Sequence, residues 1–267
     1  MLIDTHCHLD SAEFDTDRSE VIDLSQKNGV QQIVIPAVMR DNFVTVRDLA
    51  HQFSGGYYAL GIHPMYVRYA TEDDLTVLEQ MIQHALQTQD SRLVAIGEIG
   101  LDFFVPEIKQ GQAREQQELF YKEQLKLARK YDLPVLLHVR RSQDTVLKYL
   151  RQIPVQGGIA HAFNGSEQQA QSFIKLGFAL GFGGAMTFTR ALQIRRLATE
   201  LDLSHLVLET DAPDIPPAWL DKENPRNSPV FLPQMAQVLA ELRGVSADYI
   251  AQITTQNAQR VLPRLQG

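Results

Sequence analysis

Eight short apolar runs, each trailed by a longer run with helical spacing, constrain this chain more than any other feature. The short runs are Leu2 to His6, Val30 to Pro36, Tyr57 to Ile62, Arg92 to Glu98, Pro134 to His138, Gln156 to His161, Phe178 to Phe182 and Leu206 to Glu209. All are of strand length. Helices are expected over Arg18 to Lys27, roughly Asp41 to Phe53, from Thr71 onward, and over Ala113 to Tyr131, Ser142 to Arg151, Ser166 to Leu176 and roughly Ala191 to Leu201. Two more close the chain, from about Pro229 to Arg243 and from Ser246 to Val261. The ends carry the expected signals. Asn28-Gly29 closes the first helix in C-cap fashion. Thr71 caps three acidic residues that suit a helix N-terminus.

Strands alternating with helices imply a parallel sheet. Eight such units within 267 residues imply a closed (β/α)8 TIM barrel, an α/β fold that spans 1–267 as one domain. An open doubly wound sheet is the alternative, but no glycine-rich fingerprint follows the first strand. Gly181-Phe182-Gly183-Gly184, after the seventh, reads as a plain loop in preference to a phosphate-binding turn.

In a barrel of this kind the site lies at the C-terminal ends of the strands. Five of the eight histidines fall at such ends: His6, His8, His63, His138 and His161. Glu98 and Asp211 join them, while His51, His84 and His205 lie in helices or a connection. His6 and His8 are two apart, so on a strand both imidazoles face one way. Histidine and carboxylate together suit zinc, manganese or iron. The set His6, His8, Glu98, His138, His161 and Asp211 is too large for one tetrahedral site with an open position. It suits two divalent ions sharing a bridging carboxylate. Glu98 is the natural bridge, because its strand lies between those carrying the two histidine groups. Such a pair activates water and clamps both oxygens of a displacement.

Taken in order, Thr5 to Asp10, Gly61 to Pro64, Gly97 to Phe103, Leu136 to Ser142, His161 to Ser166 and Glu209 to Pro213 make the chain resemble the TatD family of amidohydrolase-like metal-dependent hydrolases, and within it the YjjV-like branch. The resemblance runs from Asp4 to the Asn257 region. It implies a metal-dependent deoxyribonuclease of the 3′–5′ exonuclease type that hydrolyses DNA phosphodiesters. It also implies that His6, His8 and Asp211 hold one ion, that His138 and His161 hold the second, and that Glu98 bridges them. Asp211 would then orient or deprotonate the attacking water. Three stretches depart from the family pattern: Ala162-Phe163-Asn164, Phe103 to Gly111, and Asp211 to Pro217. None removes a ligand, and all lie where loops would meet substrate.

Other residues carry expectations of their own. His63 and Arg140 are candidates to contact substrate: His63 at a phosphate or the leaving group, with a structural hydrogen bond as the alternative, and Arg140 as a guanidinium suited to phosphate, with a salt bridge at the barrel rim as the alternative. Arg141 is expected to be solvated. Asp4 and Glu209 each precede a ligand by two and could orient a histidine. Cys7 is expected to pack rather than ligate. Arg226 to Pro229 reads as a turn and helix start.

Composition narrows the setting. The formal charge of −7 argues against a broad basic nucleic-acid surface but not against contact with a few phosphates. That fits trimming of single-stranded DNA ends. The longest apolar runs are too short to span a membrane. A first strand at the N-terminus makes a cleaved signal unexpected. A single cysteine excludes an internal disulfide framework and fits a reducing cytoplasm. No stable protein partner is inferable. Two other functions compete with DNA hydrolysis. One is hydrolysis of another ester or amide, such as an aminoacyl ester on tRNA. The other is metal binding without catalysis.

Overall fold

Eight strands and nine helices follow one another in the computed structural model, which describes residues 1–221, 223 and 225–266. Positions 222, 224 and 267, which the expected 1–267 unit includes, lie outside the described residues. The strands are β1 (Leu2–Asp4), β2 (Val30–Pro36), β3 (Gly56–Leu60), β4 (Leu93–Asp102), β5 (Val135–Arg140), β6 (Gly158–Ala160), β7 (Phe178–Phe182) and β8 (Leu206–Leu208). The helices are α1 (Arg18–Lys27), α2 (Phe43–His51), α3 (Glu72–Gln87), α4 (Gly111–Tyr131), α5 (Gln143–Gln152), α6 (Glu167–Lys175), α7 (Leu192–Glu200), α8 (Leu232–Arg243) and α9 (Ala247–Val261). Each strand pairs in parallel with its sequence neighbour, in the order β1 to β8. The fold is the (β/α)8 TIM barrel that the alternation predicts. Among the described residues, no helix is long and apolar enough to cross a membrane.

Strand parity explains what fills the barrel. Ile3, Val34, Ala59, Ala95, Leu136, Ile159, Ala179 and Val207, one from each strand, share one buried cluster. Ala258, Val261, Leu262 and Leu265 join it from the end of the chain, closing the floor. Residues of the opposite parity, among them Ile33, Tyr58, Val135 and Leu180, belong to a larger cluster with helix residues such as Phe43, Leu78, Leu125 and Phe173. Alternation on strands buried on both faces is what a parallel barrel requires. His138 shares parity with Leu136, and His161 with Ile159. Both therefore point inward as their strands end.

Among the strand ends that differ from the expected ones, those of β1 and β4 differ for a clear backbone reason. β1 stops at Asp4, not His6, because the chain beyond it binds both neighbours in turn. The N–H of Thr5 donates to Leu208 O at 3.2 Å, that of Cys7 to Val34 O at 3.1 Å, and that of His8 to Ala212 O at 2.8 Å. Asp211 N–H returns a bond to His6 O at 2.8 Å, which helps close the seam between β1 and β8. β4 runs past Glu98 to Asp102. Its register against β5 steps from Ile96↔Val135 to Ile99↔Leu137, so one extra residue is taken up around Gly97 and Glu98. Glu98 thus sits in a bulge, a device that re-aims a side chain.

Candidate metal centre

Glu98 sits at the middle of the top of the barrel, buried at 1% exposure. Its two oxygens face different partners. Oε2 lies 3.1 Å from His6 Nε2 and 3.5 Å from His8 Nε2. Oε1 lies 2.8 Å from His161 Nε2, 2.9 Å from His138 Nδ1 and 3.3 Å from His63 Nε2. Asp211 Oδ1 completes the first side, 3.5 Å from Nε2 of both His6 and His8. The seam hydrogen bonds bring it there, with its backbone in the left-handed region at φ 57°. Asparagine and aspartate tolerate that region better than most residues. The His6 and His161 rings stack at 4.0 Å and 12°.

This clustering sets the charge state of the pocket. Burial opposes ionisation of Glu98, but His161, His63 and His6 outweigh it and hold the carboxyl well below its ordinary range. Asp211 is likewise held low against burial, by His161 and His8. Burial and the neighbouring His161 lower His6 to about 4. His161 is raised to about 9, its own burial being outweighed by Glu98 and Asp211. The centre is an ionised carboxylate pair wrapped in imidazoles.

Such a donor set can hold divalent cations. Three groups bring ligand atoms within 4.8 Å of one another: His6, His161 and Asp211; His6, His8 and Glu98; and His63, Glu98 and His138. Asp211 Oδ1 is buried without a hydrogen-bond partner among the described residues, as an acceptor reserved for a cation would be. His138 is presented by a neighbour. Its Nε2 lies 3.1 Å from Asp102 Oδ2, which fixes the proton there and turns the Nδ1 lone pair inward.

His63 differs from the other four. Met65 N–H donates to its Nδ1 at 3.1 Å, so in the neutral ring the proton sits on Nε2. Nε2 then donates, to His138 Nδ1 at 3.0 Å or to Glu98 Oε1. Burial holds His63 below its ordinary value, which keeps it neutral. It touches the centre as a donor. The sequence leaves a substrate contact and a structural hydrogen bond both open for His63, because strand-end position alone does not reveal which ring nitrogen is engaged.

The remaining expected residues divide. Arg140 stands at the mouth of a cavity of about 990 Å³ that His8, Glu98, His138, His161 and Asp211 also line. Arg141, expected to be solvated, lines the same mouth and lies 4.7 Å from the Phe104 ring centre. Cys7 is buried in the core. Asp4 does not orient an imidazole. Its Oδ1 accepts the N–H groups of Thr210 at 2.9 Å and His6 at 3.3 Å, and its Oδ2 accepts the Thr210 hydroxyl at 2.6 Å. It ties the seam, and burial pushes it up to about 7. Glu209 accepts the Ala162 N–H and lies 3.8 Å from His161 Nδ1. Asp102 carries a role that the sequence gives no reason to single out, and Asn227, in the stretch read as a turn and helix start, ties the loop that follows β8.

The family model described as TatD related DNase matches residues 3–263. The chain belongs to the TatD family. It is 39% identical over 256 residues to the uncharacterized metal-dependent hydrolase YjjV of Escherichia coli, covering 96% of this chain and 95% of the relative. The crystal structure of YjjV, a TatD homologue, superposes with a TM-score of 0.90 at 38% identity over 98% of each chain. The human protein named deoxyribonuclease TATDN3 is 30% identical over 271 residues, covering 99% of this chain and 95% of the relative. This TatD chain is therefore a member of a metal-dependent hydrolase family on a TIM barrel.

Proposed function

We propose that this chain is a metal-dependent deoxyribonuclease that trims DNA from its 3′ end. The observation that carries the chemistry is the division of Glu98: one oxygen faces His6 and His8, the other His138 and His161. That is the arrangement of a carboxylate bridging two cations. His6, His8 and Asp211 would hold one ion and His138 and His161 the other, the number and assignment being part of the proposal. Ions bound there would activate water and offset charge on the attacked phosphate. Zinc suits so many imidazoles, and magnesium or manganese are candidates for the working ion.

The chain's own residues supply the rest. Asp211, held ionised, takes the proton of the attacking water. His63, whose Nε2 faces His138 and Glu98, would turn its Nε2–H to a phosphate oxygen once those two residues engage ions. Arg140, half exposed at the mouth, pairs with a phosphate. The substrate class rests on the family and on the name of the human relative. The net charge of −7 favours a few phosphate contacts over gripping a duplex, and a single buried thiol fits a cytoplasmic location.

The test is metal-stripped protein reloaded with zinc, manganese or magnesium and given oligonucleotides labelled at the 5′ or 3′ end. Progressive shortening from the 3′ end is expected, and none from Glu98→Ala. Digestion by the stripped protein, or by the variant at the wild-type rate, sinks the mechanism. Turnover of an ester or amide panel with no digestion of DNA moves the chain to the other substrate class.

A further inference from the structure

We propose that Phe104, Arg140 and Arg141 form a one-sided platform that carries the single strand leading away from the cleaved end. The guanidinium groups neutralise its phosphates and the planar groups stack a nucleobase. The proposal rests on the nuclease reading above and adds to it a direction and a base contact.

Charge divides the mouth of the cavity. Apart from histidines, Arg140 and Arg141 are the only basic residues among its described lining, and both come from the end of β5. The acidic lining residues outside the metal centre, Asp10, Glu13 and Asp214, follow β1 and β8. In an eight-stranded barrel β5 lies opposite β1, so the two charges face each other across the opening. A polyanion whose end phosphate sits at Glu98 is repelled from the β1 and β8 side and drawn over the β4 and β5 side.

Phe104 stands on that favoured side. It is 41% exposed, a large ring that the core does not use. The Arg140 guanidinium carbon lies 4.0 Å from its ring centre and that of Arg141 4.7 Å. Arg141 reaches it from a left-handed backbone at φ 54°, a conformation that non-glycine residues adopt at a cost. An aromatic ring stacked with guanidinium groups is a surface on which unpaired bases stack.

The platform is also fixed to the metal centre. Asp102 Oδ1 accepts the N–H groups of Phe104 at 2.8 Å and Val105 at 3.0 Å, while Oδ2 faces His138. One carboxylate thus sets both a candidate ligand and the ring. A base can stack there only when unpaired, so single-stranded ends are the favoured substrate.

The test compares metal-loaded wild type, Phe104→Ala, Phe104→Tyr and Arg141→Gln on two single-stranded oligonucleotides, one with all its bases and one abasic near its 3′ end. Phe104→Ala should raise KM about tenfold on the first, the size of one lost base stack, leave kcat within about twofold, and leave the abasic substrate unaffected. Phe104→Tyr should restore KM. Arg141→Gln should flatten the salt dependence of KM by about one phosphate contact. Equal losses on both substrates, or no loss in Phe104→Ala, overturn the platform while the nuclease reading stands. Wild type that cleaves neither oligonucleotide overturns that reading and the platform with it.

Discussion

Asp102 Oδ2 lies 3.1 Å from Nε2 of His138, from a carboxylate that is wholly buried. Burial opposes its charge, but His138 and the N–H groups of Val105 and Phe104 hold it below the ordinary carboxylate range. It is therefore an ionised acceptor that fixes the tautomer of a ring aimed at Glu98. Asp102→Asn keeps the acceptor for the loop but replaces the charge behind the ring. Metal affinity should fall about 10- to 100-fold, as for other partners of ligating histidines, with the melting temperature of the metal-free protein little changed. Competition with a chelating dye measures it. Unchanged affinity would remove Asp102 from the metal centre.

Removing the metal should also show in stability. Imidazoles and two carboxylates converge here, with Asp211 Oδ1 buried and lacking a hydrogen-bond partner among the described residues. An ion at about 100 times its dissociation constant stabilises the folded state by about 2.7 kcal/mol. At about 2 °C per kcal/mol for a chain of this size, a chelator should lower the melting temperature by about 5 °C. Adding back the ion should restore it. Superimposable melting curves with and without chelator would mean that this cluster holds no ion.

Much of this was legible in the sequence, and the physical reasons are specific. The eight strands could be read because each is an apolar run bounded by helical spacing. His138 and His161 could be placed because their parity follows Leu136 and Ile159 inward. The sequence puts Glu98 at a strand end, which is only part of the reason for its position. The apolar run breaks there, but the strand does not, and the side chain is aimed by a bulge that only the register reveals. The split of its two oxygens, the donor tautomer of His63 and the link from Asp102 to His138 depend on ring orientation, which spacing does not encode. Strand parity aims Asp4 at a histidine only if β1 continues to His6. The strand stops two residues earlier, and Asp4 turns to the backbone of Thr210.

Gly181 on β7 matters because of Glu209 on β8. A methyl group on Gly181 would sit inside the contact surface of the Glu209 carboxyl, whose Oε2 is already buried without a partner among the described residues. Burial pushes Glu209 up to about 8, so it has little charge with which to draw in solvent and move aside. Gly181→Ala should cost about 1–3 kcal/mol, as overpacking does. Adding Glu209→Ala should recover part of that loss, a coupling that chemical denaturation of the two single variants and the double variant would measure. Strict additivity would show that the two residues do not compete for the same space.

Arg226 and Asn227 are adjacent but should behave very differently. Arg226 makes a two-pronged pair with Asp17, NH1 to Oδ1 at 2.9 Å and NH2 to Oδ2 at 2.6 Å, but both side chains are about a third exposed. Such a pair contributes about 1 kcal/mol or less. Asn227 is fully buried, and its amide donates to the carbonyls of Thr210 at 2.8 Å, Asp214 at 2.9 Å and Ile215 at 3.1 Å. Its backbone N–H donates to Pro213 O at 3.0 Å. Those carbonyls flank Asp211, so Asn227 holds the turn that presents this carboxylate. Asn227→Ala strands buried acceptors and should cost about 2–3 kcal/mol. It should also lower kcat more than it raises KM, because the position of Asp211 is lost and the mouth of the cavity is not. Arg226→Ala should leave kcat within about twofold. Urea denaturation and steady-state kinetics on the two variants separate the cases. An Asn227→Ala protein as stable and as active as wild type would show that the turn holds its shape without that amide.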